Sequence, residues 1–222
     1  MTRSSRLGVL SGAVLSIAVV ALAASVAPAA QAAKADGPKI ERAVFHDAMR
    51  KLWEDHIVWT RQYIVSAATL AEDLPDIGPT ADRLLANQAH IGDALRPFYG
   101  DAAGDAVTSL LREHILGAVT LITAAKAGDA DATEAASAAW YANGDDIAAA
   151  LAGLNPDAWE LSHMQAMMRA HLDRTLEEAV ARLQGRYADD IAAYEAVHAD
   201  ILEMADMLSD GIIEQFPNRF QR

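Results

Sequence analysis

Apolar residues recur at helical spacing, i, i+3, i+4 and i+7, through most of the chain, and no useful length alternates with the period of a strand. Clusters of glycine and proline cut this pattern into six segments. The first runs from about Lys39 to Asp73 and is closed by Pro75 and Gly78. The second opens at Thr80 and ends before Pro97; the third begins after Asp101 and stops at Gly128. The fourth opens at Asp131, three residues before Glu134 as in a capping box, and ends at "GLNP". There Asn155 can cap a fifth helix with Pro156 at its first position, where a missing N–H does no harm. That helix ends at Gly185, and the sixth runs from about Tyr187 to Gln215, before Pro217. Short connections make neighbours antiparallel, so the pattern predicts an all-α fold, a six-helix up-down bundle of three successive hairpins.

Polar residues interrupt the apolar stripes at related points. In "LLREHILGAV" the stripe of Leu110, Leu111, Ala118 and Leu121 has His114 in its middle. "WEDHIVWT", "LREHILGA" and "MRAHLDRT" place His56, His114 and His171 alike on the odd helices, 58 and 57 residues apart. "ANQAHIG" and "ANGDDIA" place Asn87 and Asn143 alike on even helices, 56 apart. "VHADIL" is a weaker third copy, with Val197 in the asparagine position and His198 beside it; "YADDIAAYEA" offers a competing register. The spacing reads as an internal repeat. With a rise of about 1.5 Å per residue, counting from the turns brings Asn87, His114, Asn143, His171 and His198 within about one turn of a common level. His56 fits only if helix 1 ends earlier than its pattern suggests; otherwise it belongs to another layer.

Composition narrows the setting. Residues 1–32 have Arg3 and Arg6, a long apolar run and the small-residue close Ala30-Gln31-Ala32, which reads as a secretory signal peptide. An uncleaved anchor is the alternative, since the run is long enough to span a bilayer. Residues 33–38 form a short linker and 39–222 one all-helical domain. The leader carries two of 18 basic residues and none of 31 acidic ones, so the remainder has a net charge of −15. That balance disfavours nucleic acid and anionic membrane as partners, and leaves no stable membrane anchor after cleavage. There is no cysteine, hence no disulfide and no thiolate metal site. The expected location is extracytoplasmic.

Buried polar groups are costly unless they meet partners, so a shared level suggests a connected site. One reading is a transition-metal centre with His114, His171 and His198 as ligands and His56 as a fourth. Copper is suggested by the methionines of "SHMQAMMRAH", with zinc next, although methionine at helical spacing is more often core filler. Glu178 and Asp190 then support the ligands or pair separately with Arg182. The alternative is a non-catalytic structural or interaction module whose His/Asn layer fixes helix packing. A small ligand or haem is a third occupant. Two E-x-x-H spacings, Glu160/His163 and Glu195/His198, do not make a shared di-iron centre, because their levels differ by about 13 Å. No nucleophile elbow, zinc-protease or phosphate-loop motif is present, and Glu113 is expected to face solvent beside His114, so the reading leans away from catalysis.

Taken together, "LWEDHIVWTRQYIVSA", "RLLANQAHIGDALRPFYG", "LLREHILGA", "WYANGDDIAAALAGLNP" and "ADMLSDGIIEQFPNRF" resemble a family of bacterial all-helical proteins, often exported. The resemblance spans about Lys39 to Phe220. It implies one helical unit and carries over no activity and no site residue. The closing "GIIEQFPNRF" is expected to tuck Phe216 and Phe220 against the bundle, with a recognition tail as the alternative.

Overall fold

The computed structural model describes residues 39–69 and 72–222, so the expected signal peptide and linker lie outside the described residues. Among the described residues six helices follow one another: α1 Arg42–Ala67, α2 Ile77–Tyr99, α3 Asp101–Ala127, α4 Ala130–Leu154, α5 Leu161–Leu183 and α6 Tyr187–Gln215. Each packs on its neighbours in sequence, and α6 returns to pack on α1. The result is a closed ring of antiparallel helices, with the three odd helices running one way and the three even ones the other. This is the all-α bundle that the hydrophobic period predicts.

Several boundaries differ from the sequence reading, each for a local reason. α1 stops at Ala67 rather than Asp73, because the backbone folds back so that Leu74 N–H reaches Ser66 O at 2.9 Å. The Ser66 hydroxyl then donates to Asp76 at 2.8 Å, pinning the turn. α2 starts at Ile77, with Pro79 in its first turn, where the proline's absent N–H has no intrahelical partner to lose. It also continues through Pro97 to Tyr99. α4 is capped by Asp129, whose side chain accepts from Ala132 N–H at 3.0 Å, so Asp131 is already inside the first turn.

The largest departure is before α5. Residues 155–160 form turns, and the helix begins only at Leu161. Trp159 is the reason: it is 0% exposed and its ring lies against Gly211, where a Cβ would fall 2.2 Å from the indole nitrogen. Asn155 does not cap α5 but donates through Nδ2 to Gly211 O at 2.9 Å. Burying a tryptophan outweighs a favourable local cap signal.

The chain ends clasp each other. Ile40–Glu41 (β1) and Phe220–Gln221 (β2) pair in parallel, and Phe220 lies between Phe45 and Phe98 at centroid distances of 5.1 and 5.6 Å. Phe216 packs on Phe98 and Tyr99. The ring is thereby tied at the seam where its first and last helices meet.

α2 and α3 approach unusually closely. A Cβ at Gly104 would stand 2.5 Å from Arg96 Cγ and 2.8 Å from Gly92 O, whereas one at Gly153 in α4 would meet nothing within 4 Å. Gly104→Ala is therefore expected to cost about 1–3 kcal/mol by forcing the helices apart. Gly153→Ala is expected to stabilise by about 0.5–1 kcal/mol through helix propensity. Urea denaturation of the two variants checks the opposite signs.

Candidate functional site: a buried imidazole cluster

The early end of α1 places His56 at the common level. His56 lies eleven residues before Ala67, and Asn87 ten residues after Ile77. His56, His114 and His171 thus come from α1, α3 and α5, alternate members of the ring, and all three are buried. The His171 ring centroid is 5.9 Å from that of His56 and 6.3 Å from that of His114. His171 is the shared neighbour.

His198 does not join them, which corrects its placement among the expected ligands. Its side chain is 33% exposed and its Nε2 lies 3.1 Å from Glu54. Val197 takes the inward position instead, at 2% exposure. Successive residues on a helix point about 100° apart, so a register error of one residue moves an imidazole from axis to surface.

The even helices orient the first two imidazoles. Asn87 Nδ2 donates to Leu52 O at 3.0 Å, and Asn143 Nδ2 donates to Leu110 O at 3.2 Å. Leu52 and Leu110 each stand one turn before the histidine of their helix, so the two hairpins repeat one device. A backbone carbonyl only accepts, which commits the amide nitrogen of Asn143 and turns its Oδ1 toward His114 Nδ1 at 3.0 Å. His114 must therefore carry its proton on Nδ1, leaving Nε2 as a bare lone pair.

In the first hairpin the contact runs through Gln88, which the sequence reading passed over. Gln88 Nε2 donates to Leu84 O and to Asn87 Oδ1, so its Oε1 accepts from His56 Nδ1 at 3.2 Å. His56 has the same tautomer as His114. The third hairpin breaks the pattern. Valine replaces the amide at position 197, and His171 Nδ1 is buried with no hydrogen-bond partner among the described residues.

Burial sets the charge of the cluster. It lowers the His56 imidazole to a pKa of about 4 against a partial opposing pull from Gln88. Burial, aided by repulsion from His56, lowers His114 to about 3, and His171 falls well below its ordinary value for the same reasons. All three are neutral at pH 7. Trp140 stacks on His114 with centroids 5.1 Å apart and interplanar angle 22°.

Glu178 and Asp190 form a separate assembly. They are buried two helical turns from His171, reckoned along α5, and bind Arg61: Glu178 at 2.9 Å and Asp190 through both terminal guanidinium nitrogens. Arg182 reaches Asp190 at 3.4 Å. Of the two roles expected for these carboxylates, ion pairing is the one realised, and Arg61 in the "WTR" segment is its hub. Burial raises Glu178 to about 7, with Arg61 pulling the other way.

Among the described residues, no three His, Cys, Asp or Glu side chains are grouped closely enough to hold an ion as they stand. Two imidazoles on one tetrahedral ion would have ring centroids about 5 Å apart, given metal–nitrogen bonds of about 2.0–2.1 Å. The observed separations exceed that by about 1 Å. Glu113, the neighbour considered for acid–base work, is exposed and accepts from Ser109. Searches of family models, curated proteins and solved structures find no match to this chain.

The cluster predicts a signed pH response. A histidine lowered by burial adds stability above its unfolded pKa of about 6.5 that is lost as pH falls through its folded value. Glu178, raised by burial, does the reverse: its contribution is present below its unfolded value near 4.5 and is lost as pH rises through about 7. Three histidines outweigh one glutamate, so unfolding free energy is expected to climb between pH 4.5 and 6.5. Each histidine supplies at most about 1.4 kcal/mol per pH unit. Urea melts across that window check it.

The broken symmetry predicts unequal substitutions. His114→Leu leaves Asn143 Oδ1 without its donor and is expected to cost about 1–3 kcal/mol. His171→Leu removes an already unpartnered nitrogen and is expected to be neutral or stabilising. Chemical denaturation of both at pH 7 reads the difference.

Proposed function

We propose that this is an exported helical-bundle protein that holds a transition-metal ion on its axis through His56, His114 and His171. The observation that carries the reading is the enforced tautomer of the first two histidines. Each donates its Nδ1 proton to an amide oxygen, the arrangement by which metal-ligating histidines are usually oriented, with Nε2 kept free. The third imidazole stands beside both with an unsatisfied nitrogen. An inward movement of about 1 Å in the His56–His171 and His114–His171 pairs brings those rings to ligating separation. The donors are neutral imidazoles without carboxylate or thiolate, which suits copper or zinc. Export rests on the leader sequence at residues 1–32.

A second reading has its own observation. Asn87 and Asn143 tie α2 to α1 and α4 to α3 through main-chain carbonyls, which fixes hairpin register without any ion. The two readings part on one experiment. Protein purified without chelator or histidine tag is assayed by elemental analysis beside His171→Ala and His114→Ala. The metal reading expects close to one copper or zinc per chain in the wild type and a loss of at least tenfold in affinity in each variant. Because burial keeps the imidazoles unprotonated, bound metal is also expected to survive at pH 5, where an exposed histidine site would be protonated. Metal-free wild type that takes up neither ion from buffered solution leaves only the packing role.

A further inference from the structure

Directly beyond the imidazoles lies a cavity of about 30 Å³. Thr60, Ala118 and Thr175 line it, and each is four residues, about 6 Å, past the histidine of its own helix. Leu84 of α2 and Trp140 of α4 contribute as well, with Ala179 one turn beyond Thr175 on α5. The position is the same on α1, α3 and α5, so the space belongs to the ring's axis rather than to one hairpin.

The polar atoms around it are already engaged. Thr60 Oγ1 donates to His56 O at 2.8 Å, Thr175 Oγ1 to His171 O at 2.8 Å, and Trp140 Nε1 to His114 O at 3.1 Å. The residues that line the cavity thus hold the carbonyls of all three histidines. Apart from these, Tyr63 supplies the remaining polar side chain in the wall. A buried water needs two to four partners, and the walls of this space turn no polar atom toward it. The volume exceeds the 10–15 Å³ or so that one water-sized atom requires and falls far short of a benzene site of about 150 Å³. What fits is apolar, uncharged and about two heavy atoms long.

A wider hollow of about 330 Å³, lined by Ala125, Lys126, Val180 and Leu183, begins about one turn further along α3 and α5.

We propose that the axial cavity is a binding site for a small, uncharged apolar molecule of the size of dioxygen. The site exists in the metal-free protein; that its occupant would sit about one turn from a bound ion rests on the metal reading above. Xenon serves as the probe. Metal-free wild type is titrated with dissolved xenon while the methyl resonances of Leu84, Leu121, Ile122 and Ala179 are followed by NMR. Saturable shifts confined to these methyls are expected, with selective line broadening of the same signals under dissolved dioxygen. Ala118→Leu and Ala179→Leu each fill the space and are expected to abolish both effects while helical content is retained. If one variant fails to fold, the other carries the comparison. Absence of saturable shifts in the wild type, or shifts that persist unchanged in a folded filled variant, overturns the proposal whatever the metal assay shows. Loss of metal binding with xenon binding intact would remove the ion and leave the guest site standing.

Discussion

A carbonyl oxygen of a helix cannot donate a hydrogen bond, and this constraint propagates to the centre of the bundle. Once Asn143 gives its amide protons to Leu110 O, its oxygen is left to face His114, and the imidazole has one neutral tautomer available. Gln88 imposes the same outcome on His56 by giving its own protons to Leu84 O and Asn87 Oδ1. Main-chain geometry in one helix thereby decides where a lone pair sits in another. The apolar surroundings complete the arrangement, since burial holds the rings neutral and leaves Nε2 unprotonated well into the acid range. The cluster is chemically prepared without any charged residue in it.

The third hairpin shows what this costs when it is missing. Asn87-Gln88, Asn143-Gly144 and Val197-His198 occupy corresponding places on the even helices. The first pair supplies an amide bridge and a partner for the imidazole. The second does so with asparagine alone, while Gly144 lets Leu172 pack against the backbone, where a Cβ would stand 3.1 Å from its Cδ2. The third supplies only a hydrocarbon. A buried ring nitrogen that meets no protein partner is costly unless something else satisfies it. That asymmetry, rather than the number of histidines, gives the cluster its functional interest.

Much of this was legible in the sequence, and the failures have physical causes. The helical period and the Gly and Pro clusters give six helices because each amphipathic stripe must face a common core. The 58- and 57-residue spacing places His56, His114 and His171 alike. The capping signal at Asn155-Pro156 misleads because it is local, whereas Trp159 buries itself against α6 and takes the segment with it. His198 misleads because Val197, in the place of the repeated asparagine, already takes the inward direction, and the next residue along a helix points about 100° away from it. Gln88 was hidden by its neighbour: nothing in "ANQAHIG" says that the partner of His56 is the residue after the repeated asparagine. Arg61 was hidden for a different reason, since its carboxylate partners lie 117 and 129 residues away.

The two buried polar assemblies divide the bundle by charge. The Arg61–Glu178–Asp190 group places two carboxylates against two guanidinium groups and so concentrates its formal charge at one level of α5 and α6. Two turns along α5 the imidazole cluster carries none. Between them, Thr60 and Thr175 return their hydroxyls to the carbonyls of His56 and His171 and leave a hydrocarbon-walled space on the axis. A ring of six helices is wider than a four-helix bundle, and side chains from alternate helices must reach further to meet. The imidazoles reach; alanine at 118 and 179 does not. The same geometry that brings three neutral rings together at one level therefore opens a void at the next, and the two features are consequences of a single choice of side-chain length.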